Sequence, residues 1–377
     1  MDLNSIETPA LILDREKVQN NISRMESHLK SMHVSLRPHG KTAKNIDVIN
    51  MFQKGRISGI TVSTLKEAEY YFSNGITDIV YAVGIAPQKL DRVFRLISQG
   101  ARITIILDSL AQADSAANAA QHYKTEIPVL IEIDSDGHRS GVDPDSPFLL
   151  HLGRYLDAAP YIDFMGVLTH AGESYSCSTA EEIRQMAEME RRQAVLCAER
   201  LKSAGIPCRI ISVGSTPTAA LSRGFQGVTE VRAGVFMFQD LVMAGLQVCS
   251  VDDIAVSVLA TVIGHKKERN WIIVDAGWSA LSRDRGTAAQ HTDQGYGLVC
   301  GTSGQPVSGL IVSSVFQEHG VITHREGKSI ILDRFPIGRR VRILPNHACA
   351  TATSFDRYYV ADASGTVVDE WKRINGW

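Results

Sequence analysis

The chain has 377 residues, which is too long for one small hydrophobic core, so two domains are expected. Its net charge is close to zero, at −2, and no basic cluster or acidic tail indicates a nucleic-acid-binding protein. No apolar run is long enough to span a membrane, and the N-terminus lacks a basic, apolar signal pattern, so a cytoplasmic protein is expected. The cysteines are scattered without CxxC pairs and are expected to be reduced.

Strand and helix patterns alternate over the first two-thirds of the chain. After a strand at 10–14 and a helix at about 15–32, strands are predicted at 34–37, 59–62, 79–83, 102–107, 127–134, 163–169, 208–213 and 229–232. Helical patterns lie between them, near 43–54, 64–74, 87–98, 109–122, 146–158 and 178–204.

Several of these strands, such as 103–107, are nearly continuous apolar runs, as parallel strands covered on both faces require. Eight such strands over about 200 residues predict an α/β fold, a (β/α)8 TIM barrel. A doubly wound open sheet is the alternative, but the sequence contains no GxGxxG turn to favour it.

The sequence pattern changes after about residue 250. Apolar runs at 254–264, 271–275, 309–315 and 341–344 are separated by Gly, Ser, Asp and Pro, and helical periodicity fades. We therefore predict a barrel domain over 9–250 and a C-terminal β domain over 251–377. The N-terminal residues 1–8 are expected to join the β domain.

Lys41 follows the first predicted barrel strand, within the segment Leu36–Thr42. The turn after such a strand lies on the face where these barrels carry out catalysis. A lysine there can serve as nucleophile and base in covalent cofactor chemistry, and a solvated surface charge is the alternative. Gly40–Thr42 also looks like the end of a phosphate loop, but Ser35 stands where that loop needs glycine, so we reject a nucleotide-binding loop.

Polar residues follow the later predicted strands as well, among them Arg139, His170 and Arg232. The segment Gly214–Thr218 predicts an anion site, because its glycine lets backbone N–H groups approach a ligand and its hydroxyls add donors. Barrels of this kind often bind phosphate after strands seven and eight, and Gly234 gives the next loop similar freedom. A plain helix N-cap, salt-bridge arginines and a packed histidine are the alternatives.

In the predicted β domain, His347 and Cys349 stand two residues apart, so in an extended chain their side chains point to the same side. Imidazole and thiolate together suit Zn²⁺, and two protein ligands leave coordination positions for water or substrate. A buried, inert cysteine is the alternative.

Together these segments resemble the pyridoxal-phosphate enzymes of the alanine-racemase fold, and most closely the D-serine dehydratase and D-threonine aldolase family. The resemblance covers nearly the whole chain. It rests on the segments RPHGKTAK, EIDSDGHRSGV, THAGESY, GSTPT, EVRAGVFMF, VDAGWSALSRDRG and PNHACATATSFDRYYV. It implies an alanine-racemase-like barrel with a β domain, and a homodimer in which each active site lies near the partner's β domain.

The resemblance also implies residue roles. Lys41 matches the lysine that binds pyridoxal phosphate covalently, Arg139 matches an arginine near the phenolic oxygen, and Arg232 falls where racemases place an arginine beside the pyridine nitrogen. His170 is implied to pack against the ring and Tyr175 to supply a nearby hydroxyl. The implied phosphate contacts are Gly214, Ser215, Thr216, Gly234 and Val235.

His347 and Cys349 match the metal pair of the D-serine dehydratases. The aldolases of this group usually carry Asp at the second position, so Cys349 favours dehydration. Its soft thiolate also suggests zinc over manganese or magnesium.

The implied activity is that of a lyase that depends on pyridoxal phosphate and a divalent metal and acts on small D-β-hydroxy amino acids. Lys41 would remove the Cα proton and the metal would ease departure of the β-hydroxyl, giving a 2-oxo acid and ammonia. D-serine or D-3-hydroxyaspartate is the expected substrate. The alternatives are a D-threonine aldolase giving glycine and an aldehyde, an amino-acid racemase, and a non-catalytic pyridoxal-phosphate carrier.

Overall fold

The computed structural model describes residues 2–53, 57, 59–137 and 139–377. These residues form two compact units: a barrel unit of residues 24–234 with 376–377, and a β unit of residues 1–23 with 235–375. The domain limits predicted from sequence, 9–250 and 251–377, stay a prediction. None of the helices in the described ranges has the length and apolar character needed to cross a membrane.

The first strand, β1 (Ala10–Asp14), belongs to the β unit. Within the described residues, eight parallel strands form the sheet of the barrel unit: β2 (Ser35–Pro38), β3 (Ile60–Val62), β4 (Asp78–Gly84), β5 (Arg102–Leu107), β6 (Ile127–Ile133), β7 (Ile162–Thr169), β8 (Ile210–Val213) and β9 (Glu230–Ala233).

The order of these strands is β2-β9-β8-β7-β6-β5-β4-β3. Parallel bridges from Leu36 to Ile57 and from His39 to Thr61 join β2 to the β3 end of the sheet. The sheet therefore closes on itself, and the predicted (β/α)8 barrel is confirmed. β6 is buried at every position, as a parallel strand covered on both faces must be.

Helices alternate with the strands along the chain: α1 (Arg15–Ser31), α2 (Ile46–Ile49), α3 (Leu65–Ser73), α4 (Leu90–Ser98), α5 (Leu110–Tyr123), α6 (Phe148–Ala158), α7 (Ala180–Ser203) and α8 (Thr216–Leu221).

The helix predicted over 43–54 is wrong in length, because only the single turn α2 forms there among the described residues. Lys44 has a left-handed φ of 47°, which a right-handed helix does not accommodate. Asn45 then caps α2 by accepting the N–H of Val48 at 2.8 Å. Lys54, the last residue of that prediction, lies outside the described residues.

The β unit holds a nine-stranded sheet in the described part of the chain, formed by β1 and the strands β10 (Val256–Lys266), β11 (Trp271–Val274), β12 (Leu298–Cys300), β13 (Pro306–Val315), β14 (Gly320–His324), β15 (Arg340–Leu344), β16 (Arg357–Ala361) and β17 (Val367–Lys372). Its short helices are α9 (Leu241–Gly245), α10 (Trp278–Leu281) and α11 (Ala348–Ala352).

The strands of this sheet run in the order β11-β14-β13-β12-β15-β10-β1-β16-β17. β1 lies inside it, antiparallel to β10 and parallel to β16. The predicted C-terminal β domain is confirmed. All of its other strand pairs among the described residues are antiparallel. The N-terminal segment thus contributes a central strand to a sheet built mostly from the last third of the chain.

Gly166 tests how tightly the barrel strands are packed. It lies at a register shift of β7, with φ of +140°, and a Cβ there would meet the carbonyl oxygen of Ile210 on β8. We expect Gly166→Ala to lower the free energy of unfolding by about 1–3 kcal/mol in urea titrations. The control is Gly264→Ala, at a register shift of β10, where an added Cβ meets nothing within 4 Å. Equal losses in the two variants would contradict the packing argument.

Candidate functional site

Lys41 lies on the turn that follows β2, at the carboxyl ends of the barrel strands, and its side chain is exposed. Two hydrogen bonds made by Gly40, the residue before Lys41, fix this turn. The Gly40 N–H donates to the carbonyl of Thr61 at 2.8 Å, and the Tyr71 hydroxyl donates to the Gly40 carbonyl at 3.0 Å. The turn therefore presents the Lys41 amine from a rigid base.

Two glycines let the neighbouring loops come together at this turn. A Cβ on Gly40 would collide with the ring of Tyr71, at 2.5 Å from its nearest carbon. A Cβ on Gly234, which follows β9, would meet the Thr42 hydroxyl at 2.7 Å and the His39 Cβ at 3.1 Å. Gly234 thus lies against the Lys41 turn, where any other side chain would force the loops apart.

The loop after β8 is held by a buried carboxylate, Glu190 on α7, that sequence reasoning missed. It accepts the N–H of Gly214 at 2.8 Å, the N–H of Ala171 at 3.0 Å and the Thr218 hydroxyl at 2.9 Å. Burial raises the pKa of Glu190, and these hydrogen bonds oppose that rise. Gly214 has a φ of +127°, and a Cβ there would strike the backbone of Arg232.

Ser215 caps the N-terminus of α8, with its hydroxyl accepting the N–H of Thr218 at 3.3 Å. Its own N–H donates to the Thr218 hydroxyl at 3.0 Å, and its hydroxyl also contacts that of Ser174 at 2.8 Å. Thr216 begins the helix and is buried. The predicted anion residues are therefore contiguous, but the N–H groups of Gly214 and Ser215 are already bonded to protein acceptors.

Arg232 and His170 lie beside this loop. Arg232 is buried, donates from Nε to the Ser212 hydroxyl at 2.9 Å, and also contacts the carbonyl of Thr169. Burial lowers its pKa to about 10, so it stays cationic at neutral pH. His170 Nδ1 lies 3.0 Å from the carbonyl of Gly214, which can only accept, so Nδ1 carries the proton.

Several positive charges converge on this end of the barrel. Burial and the charges of Arg139, Arg232 and Lys41 together lower the pKa of His170 to about 3, and the hydrogen bond to Gly214 opposes this shift only in part. Burial and the same cations lower the pKa of His39 well below its usual value. His170 is therefore neutral at physiological pH, in a site whose potential favours an anionic ligand.

The remaining predicted cofactor residues, Arg139, Tyr175 and Val235, lie after β6, β7 and β9. The Arg139 guanidinium is half-exposed and lies 3.8 Å from Glu132. Tyr175 is exposed, with its ring 6.4 Å from that of His170. Val235 is buried in the β unit, where it begins the 3-10 helix Val235–Met237.

His347 and Cys349 come together in the β unit, where their side chains hydrogen-bond to each other. The predicted extended geometry is wrong in detail, because Cys349 lies in the first turn of α11 and His347 is its N-cap. His347 Nδ1 lies 2.7 Å from Asp284 Oδ2. Burial lowers the pKa of His347, but Asp284 and Cys349 outweigh it and raise the pKa to about 11.

The segment that carries this pair is anchored by the N-terminus of α9. The Leu241 N–H donates to the Pro345 carbonyl at 3.1 Å, and Asp240 Oδ2 accepts the Ala348 N–H at 3.0 Å. Burial raises the pKa of Asp240 to about 6. Within the described ranges, no three His, Cys, Asp or Glu side chains are grouped so that they could hold a metal ion.

Comparison with known proteins identifies close relatives. The alanine racemase N-terminal domain matches residues 13–241, and a putative serine dehydratase domain matches residues 255–361. A D-threo-3-hydroxyaspartate dehydratase of Delftia sp. (strain HT23) is 48% identical, over 100% of this chain and 99% of that one. A D-serine dehydratase of Dictyostelium discoideum is 31% identical, over 100% of this chain and 98% of that one.

Two solved structures of D-threo-3-hydroxyaspartate dehydratase variants also match. One, in which a histidine is replaced by alanine, has a TM-score of 0.98 and 47% identity, and covers 100% of this chain and 97% of that one. The other, in which a cysteine two positions later is replaced, is in the metal-free form. It has a TM-score of 0.97 and 48% identity, with 100% of both chains covered.

The depressed pKa of His170 predicts an acid-dependent loss of stability. Between pH 6.5 and about 3 the unfolded histidine binds a proton that the folded one excludes, so its contribution is full above pH 6.5 and falls as the pH drops. His170→Asn, whose amide can donate to the Gly214 carbonyl, removes this titration. Urea unfolding at pH 7 and pH 5 should show a loss about 1–2 kcal/mol smaller in the variant. If the free energy of unfolding fell equally with pH in the wild type and in His170→Asn, His170 would not be neutral in the folded protein.

Proposed function

The chain belongs to the D-serine dehydratase and D-threonine aldolase family, and from that membership we propose that it dehydrates a D-β-hydroxy amino acid. The observation that carries the proposal is the contact between His347 and Cys349. The replaced histidine and cysteine of the D-threo-3-hydroxyaspartate dehydratase variants are also two positions apart, and the cysteine variant is metal-free. We therefore assign His347 and Cys349 as the metal ligands of this chain.

The barrel face that carries Lys41 fits pyridoxal phosphate by its charge and its nucleophile. The positive charges of Lys41, Arg139 and Arg232 all lower the pKa values of two neighbouring histidines, His39 and His170. This positive potential supports the binding of an anionic ligand at the carboxyl ends of the barrel strands. When bound, pyridoxal phosphate supplies an electron sink for the charge that develops at Cα. Lys41 would hold the cofactor covalently and, once released, take the proton from Cα.

Neighbouring groups would orient the cofactor without exchanging protons with it. His170 is neutral, with its Nδ1 proton committed to the Gly214 carbonyl, so it offers a ring for packing and adds no charge. Arg232 is cationic and fixed by Ser212, so it would favour an unprotonated pyridine nitrogen beside it. Gly214, Ser215, Thr216, Gly234 and Val235 remain our proposal for the phosphate contacts, and Tyr175 for a nearby hydroxyl.

The donor set His347 and Cys349 fits a divalent cation of borderline softness, and we propose Zn²⁺ before Mn²⁺ or Mg²⁺. Such a cation acts as a Lewis acid toward a hydroxyl. His347 offers Nε2, since Asp284 occupies Nδ1, and Cys349 offers its thiolate. We further propose that the protein is a homodimer, as the family resemblance implies, and that it is cytoplasmic.

D-threo-3-hydroxyaspartate is the first substrate to test, because the Delftia relative is named for it and matches over the full length. D-serine is the second, from the Dictyostelium relative. The rival activity is that of an aldolase, which would leave glycine and an aldehyde. The presence of Cys349 instead of Asp supports dehydration.

Turnover of a substrate panel tests the proposed activity. The wild-type protein should convert D-threo-3-hydroxyaspartate to oxaloacetate and ammonia, and D-serine to pyruvate and ammonia, as followed by carbonyl product analysis. Lys41→Ala should abolish both reactions, and Lys41→Arg should do the same, because it keeps the charge but cannot form the covalent link. Glycine and an aldehyde as the products would establish the rival activity.

Metal removal tests the role of His347 and Cys349. A chelator should stop turnover and leave the visible absorbance of the bound cofactor unchanged, because the cofactor and the metal bind through different residues. Added Zn²⁺ should restore the rate. A rate that survives thorough chelation would remove the metal from the proposal.

A further inference from the structure

A carboxylate outside the proposed metal pair touches one of its members. Asp284 Oδ2 lies 2.7 Å from Nδ1 of His347. The two residues are 63 positions apart in the sequence. Asp284 lies in the segment VDAGWSALSRDRG, for which the family resemblance implies no residue role.

We propose that Asp284 is a positioning residue for the metal: it holds His347 with the proton on Nδ1, so that the lone pair of Nε2 faces the cation. The inference rests on the proposed function, since it presupposes a cation at His347 and Cys349. It adds a residue that neither the sequence motif nor the comparisons assign.

The chemistry of imidazole gives the reason. A neutral histidine has one donor nitrogen and one acceptor nitrogen, and a metal can bind only the acceptor. A carboxylate on the other nitrogen selects the tautomer, fixes the ring orientation and makes the ligand more basic. Loss of such a partner typically weakens metal binding about 10–100-fold.

The Asp284 carboxylate is itself held in place. Its Oδ1 accepts the Gly286 N–H at 2.8 Å, and its backbone N–H donates to the Ser282 hydroxyl at 3.1 Å. With Oδ1 occupied in the loop, Oδ2 is the oxygen directed at His347. The side chain is one-third exposed, so water only partly screens the contact.

A second contact ties the same two segments together. The side-chain amide of Asn346, which precedes His347, donates to the backbone carbonyl of Asp284 at 3.1 Å. The Asn346 oxygen in turn accepts the hydroxyl of Thr287 at 3.1 Å. The ring and the carboxylate are therefore set at a fixed separation by contacts that do not involve the ring.

The other carboxylate close to His347 has a different task. Asp240 is buried, and its two oxygens accept the backbone N–H groups of Met243 and Ala348 at 2.9 and 3.0 Å. It anchors the segment that carries the pair, whereas Asp284 bonds the imidazole directly. This difference makes Asp284 the residue to vary.

Zn²⁺ affinity of the cofactor-loaded protein, stripped of metal and titrated against a chelating dye, tests the proposal. Asp284→Ala should weaken Zn²⁺ binding about 10–100-fold and leave the visible absorbance of the cofactor unchanged. Asp284→Asn, whose amide oxygen can still accept from Nδ1 but has no charge, should lose less. At saturating Zn²⁺, both variants should recover turnover.

The matched control is Asp293→Asn, which removes a carboxylate from the same loop. Asp293 is exposed and pairs with Arg285 at 2.6 Å, so this variant should bind Zn²⁺ as the wild type does. Wild-type affinity in Asp284→Ala or in Asp284→Asn overturns the proposal. Equal losses in both also overturn it, because they would make Asp284 a direct ligand.

The experiment separates failure of this inference from failure of the proposed function. If the wild type does not bind Zn²⁺, or if His347→Ala binds it equally well, the metal pair itself is wrong. If His347→Ala loses Zn²⁺ and the Asp284 variants do not, the metal pair stands and the role of Asp284 falls.

Discussion

Parallel pairing of β2 with both β9 and β3 fixes the position of the Lys41 turn. The His39 N–H donates to the carbonyl of Ala233 at the end of β9, at 2.7 Å, and the Gly40 N–H donates to the carbonyl of Thr61 on β3, at 2.8 Å. The turn that carries Lys41 is therefore bonded on both sides as the barrel closes. Because all strands run the same way, the loops after β7, β8 and β9 reach the same face, and the remaining polar residues follow from that geometry.

The barrel keeps its buried charges in a connected network. Arg37 pairs with Glu230 at 2.8 Å and with Asp78 at 2.9 Å, and Glu230 also accepts the hydroxyl of Ser212 at 2.8 Å. Ser212 in turn accepts from Arg232. Removing one member of a buried pair leaves an uncompensated charge, so a single substitution in this network should destabilise the barrel. The network gives Arg232 a fixed place next to the proposed cofactor.

In the β unit, His347 and Cys349 are held in place by hydrogen bonds to the backbone of the segment that carries them. A short helix, α11, begins between His347 and Cys349, and the N-terminus of α9 together with Asp240 anchors the approach to it. If the pair binds a metal as proposed, two ligands would leave most of the coordination sphere to substrate and water, which suits Lewis-acid chemistry. A closed site of three or four ligands would suit a structural metal better.

The sequence alone was enough to predict the order and type of most barrel elements, the place of Lys41 at a strand end, and the proximity of His347 to Cys349. These follow from periodicity and from short spacing, which act within a few residues. The helix predicted over 43–54 is wrong in length, because the left-handed backbone of Lys44 cannot be part of a right-handed helix. The sequence alone did not predict β12, β14, β16 and β17, because strands that are very short or of mixed polarity carry weak patterns.

The residues that support the site are brought to it only when the chain folds. Glu190 lies 24 positions from Gly214 and 19 from Ala171, and Asp284 lies 63 positions from His347. Each looks like an ordinary solvent-facing carboxylate in its own segment. Contacts between residues so far apart depend on how whole elements pack, and a local pattern holds no information about that packing.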